Sequence, residues 1–170
     1  KDVVDGNCQI HKKKIEQFKE EGYFFRMSQF QELLKKDIEN TNLIWPEKKR
    51  NEIRNRLDVP LKDLFISRRR VKWGIPLVFD KEVTAFVWVE ALMNYLTTLD
   101  YPKKKFKEFW PGVHIIGSDI VFHHTIIFWS WLHAMGLEIP KVVCHGFITM
   151  NGMKMSKSSG EIIDPLELVE

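Results

Sequence analysis

The second half of this 170-residue chain predicts an α/β fold built on a parallel sheet, and three observations point there. From about residue 60 onward, short β-prone runs alternate with helical patterns, the order that βαβ units produce. The stretch GVHIIGSDIVFHH passes from a strand through Gly117 and Asp119 into a helix. Such a junction lies at the strand ends where open α/β sheets hold their ligands. The chain is also 44% hydrophobic, enough to bury a core at this length.

Each element has a local reason. Residues 1–13, KDVVDGNCQIHKK, are polar and read as a loop or knuckle. Between 14 and 58 the pattern is turns and helices. In SQFQELLKKDIEN, Phe30, Leu33, Leu34 and Ile38 recur at helical spacing, and Ser28 is a plausible N-cap. WPEKKRNEIRNRL puts Pro46 in a first turn, where its missing N–H costs little. DLFIS then reads as a strand, and RRRVKWGIPLVF as a basic segment broken by Gly74 and Pro76. AFVWVEALMNYLTTL runs from strand to helix, and GVHIIGSD is a strand and turn. IVFHHTIIFWSWLHAM is an apolar helix closed by Gly136. KVVCHGFITM is again strand, with Cys144 buried in it.

Composition narrows the function. A formal net charge of +3 is mildly basic, so nucleic-acid contact must come from local patches. Three such runs are KKRNEIRNR (48–56), RRRVK (68–72) and KKKFK (103–107), which face either phosphates or solvent. Cys8 and Cys144 are far apart and form no disulfide framework, which fits a reducing, cytoplasmic setting. No apolar run reaches membrane-spanning length, so no membrane partner is expected.

The chemistry is concentrated near the end, in KMSKSSG (154–160). It follows FITMNGM, where Asn151-Gly152 signals a two-residue hairpin turn. The hairpin delivers Lys154 and Lys157 to a loop that Ser156, Ser158 and Gly160 leave free to bend. Lysine is a compact point charge suited to oligophosphate, and a loop of this kind can close over a triphosphate. A solvated lysine turn is the plain alternative.

Lys154-Met155-Ser156-Lys157-Ser158 is identical to the KMSKS signature of class I aminoacyl-tRNA synthetases. HGFITMNGMKMSKSSGEIIDP, VWVEALMNYLTTLDYP, HIIGSDIVFHHTIIFW, SRRRVKWGIP and GYFFRMSQFQELL together resemble methionyl-tRNA synthetases, in order and over nearly the whole chain. The isoleucine, valine and leucine synthetases share KMSKS and a WGIP-like stretch, but not the Trp-x-x-Ala-x-x-x-Tyr helix or the HIIGSDIVFHH run. The resemblance implies the second part of a Rossmann-like catalytic domain over 14–170. Residues 1–13 would be the tail of a zinc-knuckle-like connective insert, and both ends would be internal.

The implied activity is methionine–tRNA ligation. ATP, with Mg²⁺, activates methionine to methionyl-adenylate, and the methionyl group then passes to its tRNA. Lys154 and Lys157 would stabilise the phosphates, with Gly117, Asp119 and Ser156 also at the nucleotide. On the helix after residue 86, Trp88, Ala91, Leu92 and Tyr95 fall at i, i+3, i+4 and i+7, one face. By themselves they read as core. The resemblance makes Trp88, Ala91, Leu92, Tyr95, Ile120 and His124 the methionine pocket. Asp119 has a second possible role as an N-cap. His114, His123 and His133 read as packed histidines.

The chain departs from the family text at Glu90, where aspartate is expected, and at Ser118, where lysine is common. Cys8-x-x-His11 is half of a zinc-knuckle spacing, which one pair cannot complete. Either these two were zinc ligands in a longer parent chain, or they are incidental loop residues. Little tight Zn²⁺ is expected from this chain alone. The family's His-x-Gly-His motif does not occur in these residues, so the chain alone is expected to activate methionine poorly. Two alternatives stand beside this reading: another aliphatic class I synthetase, and a non-catalytic tRNA- or protein-binding descendant.

Overall fold

The computed structural model describes residues 3–8, 13–15, 19–40, 43–150 and 153–155, together with 163, 166 and 169. Its centre is a three-stranded parallel sheet in the order β4–β9–β8. The strands are β4 (Ile44–Trp45), β8 (Val113–Gly117) and β9 (Lys141–His145). Gly117 lies level with His145, and Trp45 with Val143, so the carboxyl ends of the strands share one edge. His114, Ile116, Val142 and Cys144 are buried, while Val113 and Ile115 face outward. This is the period-2 alternation of a sheet.

Helices cover the buried face. α1 (Gln31–Asn40) follows a 3-10 turn over Met27–Phe30 and buries Leu34 and Ile38. α2 (Glu47–Arg56) sinks Ile53 into the core and leaves its charges outside. α3 (Val87–Thr97) buries Leu92 and Leu96. α4 is Lys104–Phe109, with Phe106 inward. A π-helical turn, His123–Ile127, runs directly into α5 (Phe128–Ala134). Phe128, Trp129 and Leu132 of α5 are fully enclosed. α5 ends as expected: Gly136 adopts φ +67, its N–H reaches the His133 carbonyl, and Leu137 N–H reaches that of Leu132. These two bonds satisfy carbonyls that the helix end would strand.

The remaining strands are short antiparallel pairs. β1 (Val3–Val4) pairs with β2 (Asn7–Cys8), β3 (Phe24–Phe25) with β5 (Leu64–Phe65), and β6 (Ser67–Arg68) with β7 (Thr84–Ala85). β10 (Thr149–Met150) pairs with β11 (Met153–Lys154), Met150 opposite Met153.

Several local readings change. The 14–58 segment holds strands as well as helices, and one of them, β4, belongs to the central sheet. Its partner Val142 is distant in sequence, so nothing local to Ile44–Trp45 signals the pairing. DLFIS divides into β5 and β6, which have different partners. KVVCHGFITM likewise breaks into β9 and β10. Ser28 does not cap α1. It lies inside the 3-10 turn, and its hydroxyl donates to Asp63 Oδ1 at 2.6 Å. That bond, with the Ser28 N–H, holds the Asp63 carboxyl below its usual range. Pro46 is the cap residue of α2, in extended backbone, one position before the first turn.

Candidate active site

The parallel sheet sets the position of the site. β8 ends at Gly117 beside the end of β9 at His145, and both strands feed loops at this edge. After β8 comes the Ser118–Asp119–Ile120 turn, and after β9 comes the β10–β11 hairpin, which carries Lys154 in β11. The hairpin is tied back by a bond from Met155 N–H to the Ile148 carbonyl at 3.0 Å. Two chain segments with phosphate-compatible residues thus leave the same sheet edge, the place where α/β folds bind ligands. Asn151, Gly152, Ser156 and Lys157 lie outside the described residues, as does His11.

At Gly117 the backbone needs a small residue. A Cβ built there would stand 2.9 Å from Asp119 Oδ1, so the turn folds the carboxylate back over the strand end. Asp119 is exposed, and helical backbone begins at residue 121. Ile120, not Asp119, therefore holds the cap position.

The second half of the site is a cluster of rings between α3, β8 and the π turn. Trp88 stacks on His123, with centroids 3.8 Å apart. Two turns along α3, Tyr95 stacks on His114 at 4.1 Å and meets His124 edge-on at 5.6 Å. The Tyr95 hydroxyl lies 3.0 Å from His124 Nε2, and His124 Nδ1 lies 3.1 Å from the Ile120 carbonyl oxygen. A carbonyl only accepts, so Nδ1 carries a proton. With burial holding its pKa below the usual histidine range, His124 is a neutral imidazole at pH 7, and Nε2 accepts from the phenol.

Burial controls the electrostatics. It pushes His124 below the usual histidine range, although the Ile120 carbonyl acts in the other direction. Burial, helped by nearby His124, brings His114 down to about 4. His123 is lowered for the same two reasons, against a smaller opposing pull from Asp119. Burial raises the Tyr95 phenol. At neutral pH the cluster therefore carries no charge. Its chemistry is shape and hydrogen bonding, not proton transfer.

Of the residues the resemblance assigns to the methionine pocket, Tyr95 and the Ile120 carbonyl both meet His124, Trp88 lies on the neighbouring His123, and Ala91 is on the exposed side of α3. Leu92 is in the hydrophobic core at 1% exposure, not on that open side. Sequence reasoning missed His114 and His123 as the rings behind Tyr95 and Trp88. Strand alternation puts His114 on the buried face with Ile116, but no sequence signal names its stacking partner. His133 is structural, its Nε2 sitting 2.6 Å from Asp37 Oδ2 and linking α5 to α1. A cleft of about 480 Å³ opens beside Tyr95, His114, Trp110 and Lys105. It lies at the Val113 end of β8, about 13 Å along the strand from Gly117.

Among the described residues, no group of three or more His, Cys, Asp or Glu could hold a metal ion. Cys8 is half-buried in β2.

A family model described as tRNA synthetases class I (M) matches residues 1–170. The methionine–tRNA ligase of Caldanaerobacter subterraneus subsp. tengcongensis is 45% identical over 174 residues, covering 99% of this chain and 27% of that protein. That of Clostridium perfringens is 44% identical, covering 98% of this chain and 27% of that protein. That of Brucella suis is 45% identical, with 92% and 31% covered. Among solved structures, Mycobacterium tuberculosis methionyl-tRNA synthetase bound by methionyl-adenylate superposes with a TM-score of 0.83 at 34% identity. The match covers 98% of this chain and 34% of that one. The chain therefore spans about a quarter to a third of the length of these relatives. The three-stranded parallel sheet is part of a Rossmann-like catalytic fold. Over its whole length, this chain belongs to the class I tRNA synthetases, in the methionine branch that the family model describes.

Proposed function

We propose that the protein carrying this chain is a methionine–tRNA ligase and that these residues form the later part of its catalytic domain. Residues 14–170 would be the catalytic portion, and residues 1–13 the tail of a connective insert. The observation that carries the reading is the shared sheet edge. The Gly117–Asp119 turn and the hairpin leading into KMSKS leave it side by side, next to a neutral aromatic–histidine cluster.

In the first step the methionine carboxylate attacks the α-phosphorus of ATP, giving methionyl-adenylate and releasing pyrophosphate. No enzyme nucleophile is needed, so catalysis rests on positioning and charge stabilisation. Asp119 accepts hydrogen bonds from the ribose or the substrate ammonium, beside Gly117. Lys157, supported by Lys154 and Ser156, offsets charge on the phosphates, and Mg²⁺ accompanies the ATP. Trp88, Ala91, Tyr95, Ile120 and His124 receive the methionine side chain, with Leu92 behind them. His124 has its Nδ1 proton engaged by Ile120, so it discriminates by fit and not by reacting with the thioether.

In the second step the methionyl group passes to the terminal ribose of the tRNA. Trp73 supports a nucleic-acid partner. It is 89% exposed and follows Arg68, Arg69, Arg70 and Lys72 in the sequence. Exposed aromatics among cations provide stacking platforms for single-stranded bases. Among the described residues, no helix is long and apolar enough to cross a membrane. A cytoplasmic setting belongs to this reading through its role in translation.

The test is pyrophosphate–ATP exchange by the complete protein with each apolar amino acid in turn. Methionine alone should drive exchange, and Lys157→Ala should lower its rate by about 10²–10³-fold, the cost of losing one preorganised charge-stabilising group. Exchange driven by isoleucine, valine or leucine would overturn the pocket assignment. No exchange with any amino acid from a folded protein would favour a non-catalytic tRNA-binding role.

A further inference from the structure

Tyr95 is held by more than its hydrogen bond. Its ring packs on the ring of His114, 4.1 Å away with an interplanar angle of 29°. His114 comes from β8, not from the helix that carries Tyr95, so the stack joins the sheet to the pocket wall. His114 is itself fixed from behind. Phe128 stacks on it at 5.9 Å, and Trp110 meets it edge-on at 6.1 Å. It is 8% exposed, and its Nδ1 is a buried atom with no hydrogen-bond partner among the described residues. The contacts that hold the residue are therefore those of its ring, with Tyr95, Phe128 and Trp110.

We propose that His114 is a positioning residue for substrate selection. Its ring face fixes the Tyr95 phenol at the angle from which it donates to His124, and so sets the orientation of the His124 imidazole, whose tautomer the Ile120 carbonyl holds. The proposal rests on the methionine-pocket reading above. It assigns His114 no contact with substrate and no proton to transfer. Loss of the ring removes the stacked face of Tyr95 and leaves only the tilted Phe128 contact at 5.8 Å and the edge of His124 beside it, so the phenol shifts and His124 Nε2 loses its aligned donor. The nucleotide end of the site, at Gly117 and Asp119, is reached through a different part of β8 and is untouched.

The experiment compares His114→Ala, which removes the ring, with His114→Phe, which keeps a ring of similar shape, in the complete protein. His114→Leu replaces the alanine variant if that one does not fold. In methionine-dependent exchange, His114→Ala should raise KM for methionine by about three- to tenfold, the range a ring pair of this kind contributes. KM for ATP and kcat should stay within about twofold, and His114→Phe should restore the methionine KM. In parallel, nitrogen NMR of the histidine rings should show the Nδ1–H form of His124 in the wild type and in His114→Phe. His114→Ala should keep that form but shift the Nε2 resonance to that of an acceptor that has lost the phenol hydrogen bond. Equal behaviour of the alanine and phenylalanine variants overturns the proposal, as does a matching rise in both KM values or an unchanged His124 Nε2 resonance in His114→Ala. If the wild type shows no methionine-dependent exchange, the methionine-pocket reading fails. The Nε2 comparison then still decides whether His114 positions the pair.

Discussion

At Gly117 one hydrogen atom separates two functions. Asp119 Oδ1 occupies the space 2.9 Å from where a side chain would begin, so Gly117→Ala must push the carboxylate away from the strand end. Gly117 is half-buried, but the group that must move is the side chain of exposed Asp119, so the cost should fall on ligand binding more than on stability. On the proposed function, Gly117→Ala should raise KM for ATP by about tenfold or more, the worth of a charge-assisted hydrogen bond. The urea midpoint should scarcely move. A normal ATP KM would remove Asp119 from the nucleotide site. The same economy marks the hydroxyls of the π turn and α5. Thr125 and Ser130 are fully buried yet satisfied, each donating to the carbonyl four residues back, at 2.7 and 2.6 Å.

At the level of elements, α2 shows which interactions matter for stability. Its outer face carries Lys49–Glu52 at 2.7 Å and Arg50–Glu47 at 3.1 Å, while Ile53 on the inner face has no exposed surface. Surface pairs contribute about 0–1 kcal/mol, and a buried Ile truncated to Ala costs about 2–5 kcal/mol. Ile53→Ala should therefore destabilise strongly in chemical denaturation, and Lys49→Ala hardly at all. The loop between β6 and β7 works differently. It is pinned by Thr84 Oγ1 donating to the Arg68 and Val71 carbonyls, and by Ala85 N–H donating to Ile75. Trp73 is thus presented on a fixed support. Trp73→Ala should raise KM for tRNA by roughly tenfold, since base stacking is worth about 1–3 kcal/mol. Pyrophosphate exchange should be unaffected. Equal loss in both assays would assign Trp73 to the fold.

For the whole molecule, pH dependence follows from the three buried rings. His114, His123 and His124 are all lowered from 6.5, His114 to about 4. The unfolded chain therefore binds more protons than the folded one between these values. Stability from these histidines is fully present above pH 6.5 and is lost progressively as pH falls toward 4. His114 alone accounts for on the order of 3 kcal/mol across that window. Denaturation at pH 5 should thus show a marked loss relative to pH 7.5, and His114→Phe should flatten the slope. An unchanged slope in that variant would show that His114 is not the group titrating.

The α/β class, the helices at 31–40 and 87–97, the Gly136 stop and the β10–β11 hairpin were all legible in the amino-acid sequence, because each has a short-range cause. A helical period, a left-handed cap and a turn dipeptide are set by neighbours within a few residues. The family was legible for a related reason: its signature residues lie in contiguous strings. What only the tertiary structure decided is long-range. Ile44–Trp45 becomes a sheet strand through a partner nearly a hundred residues away, and a two-residue strand has no periodicity to read. Trp88, Leu92 and Tyr95 have one helical spacing, yet Leu92 enters the core while the two aromatics meet histidines from β8 and the π turn. Helical spacing specifies a face, and the surface that packs against it decides which residues on that face are core and which remain for a ligand.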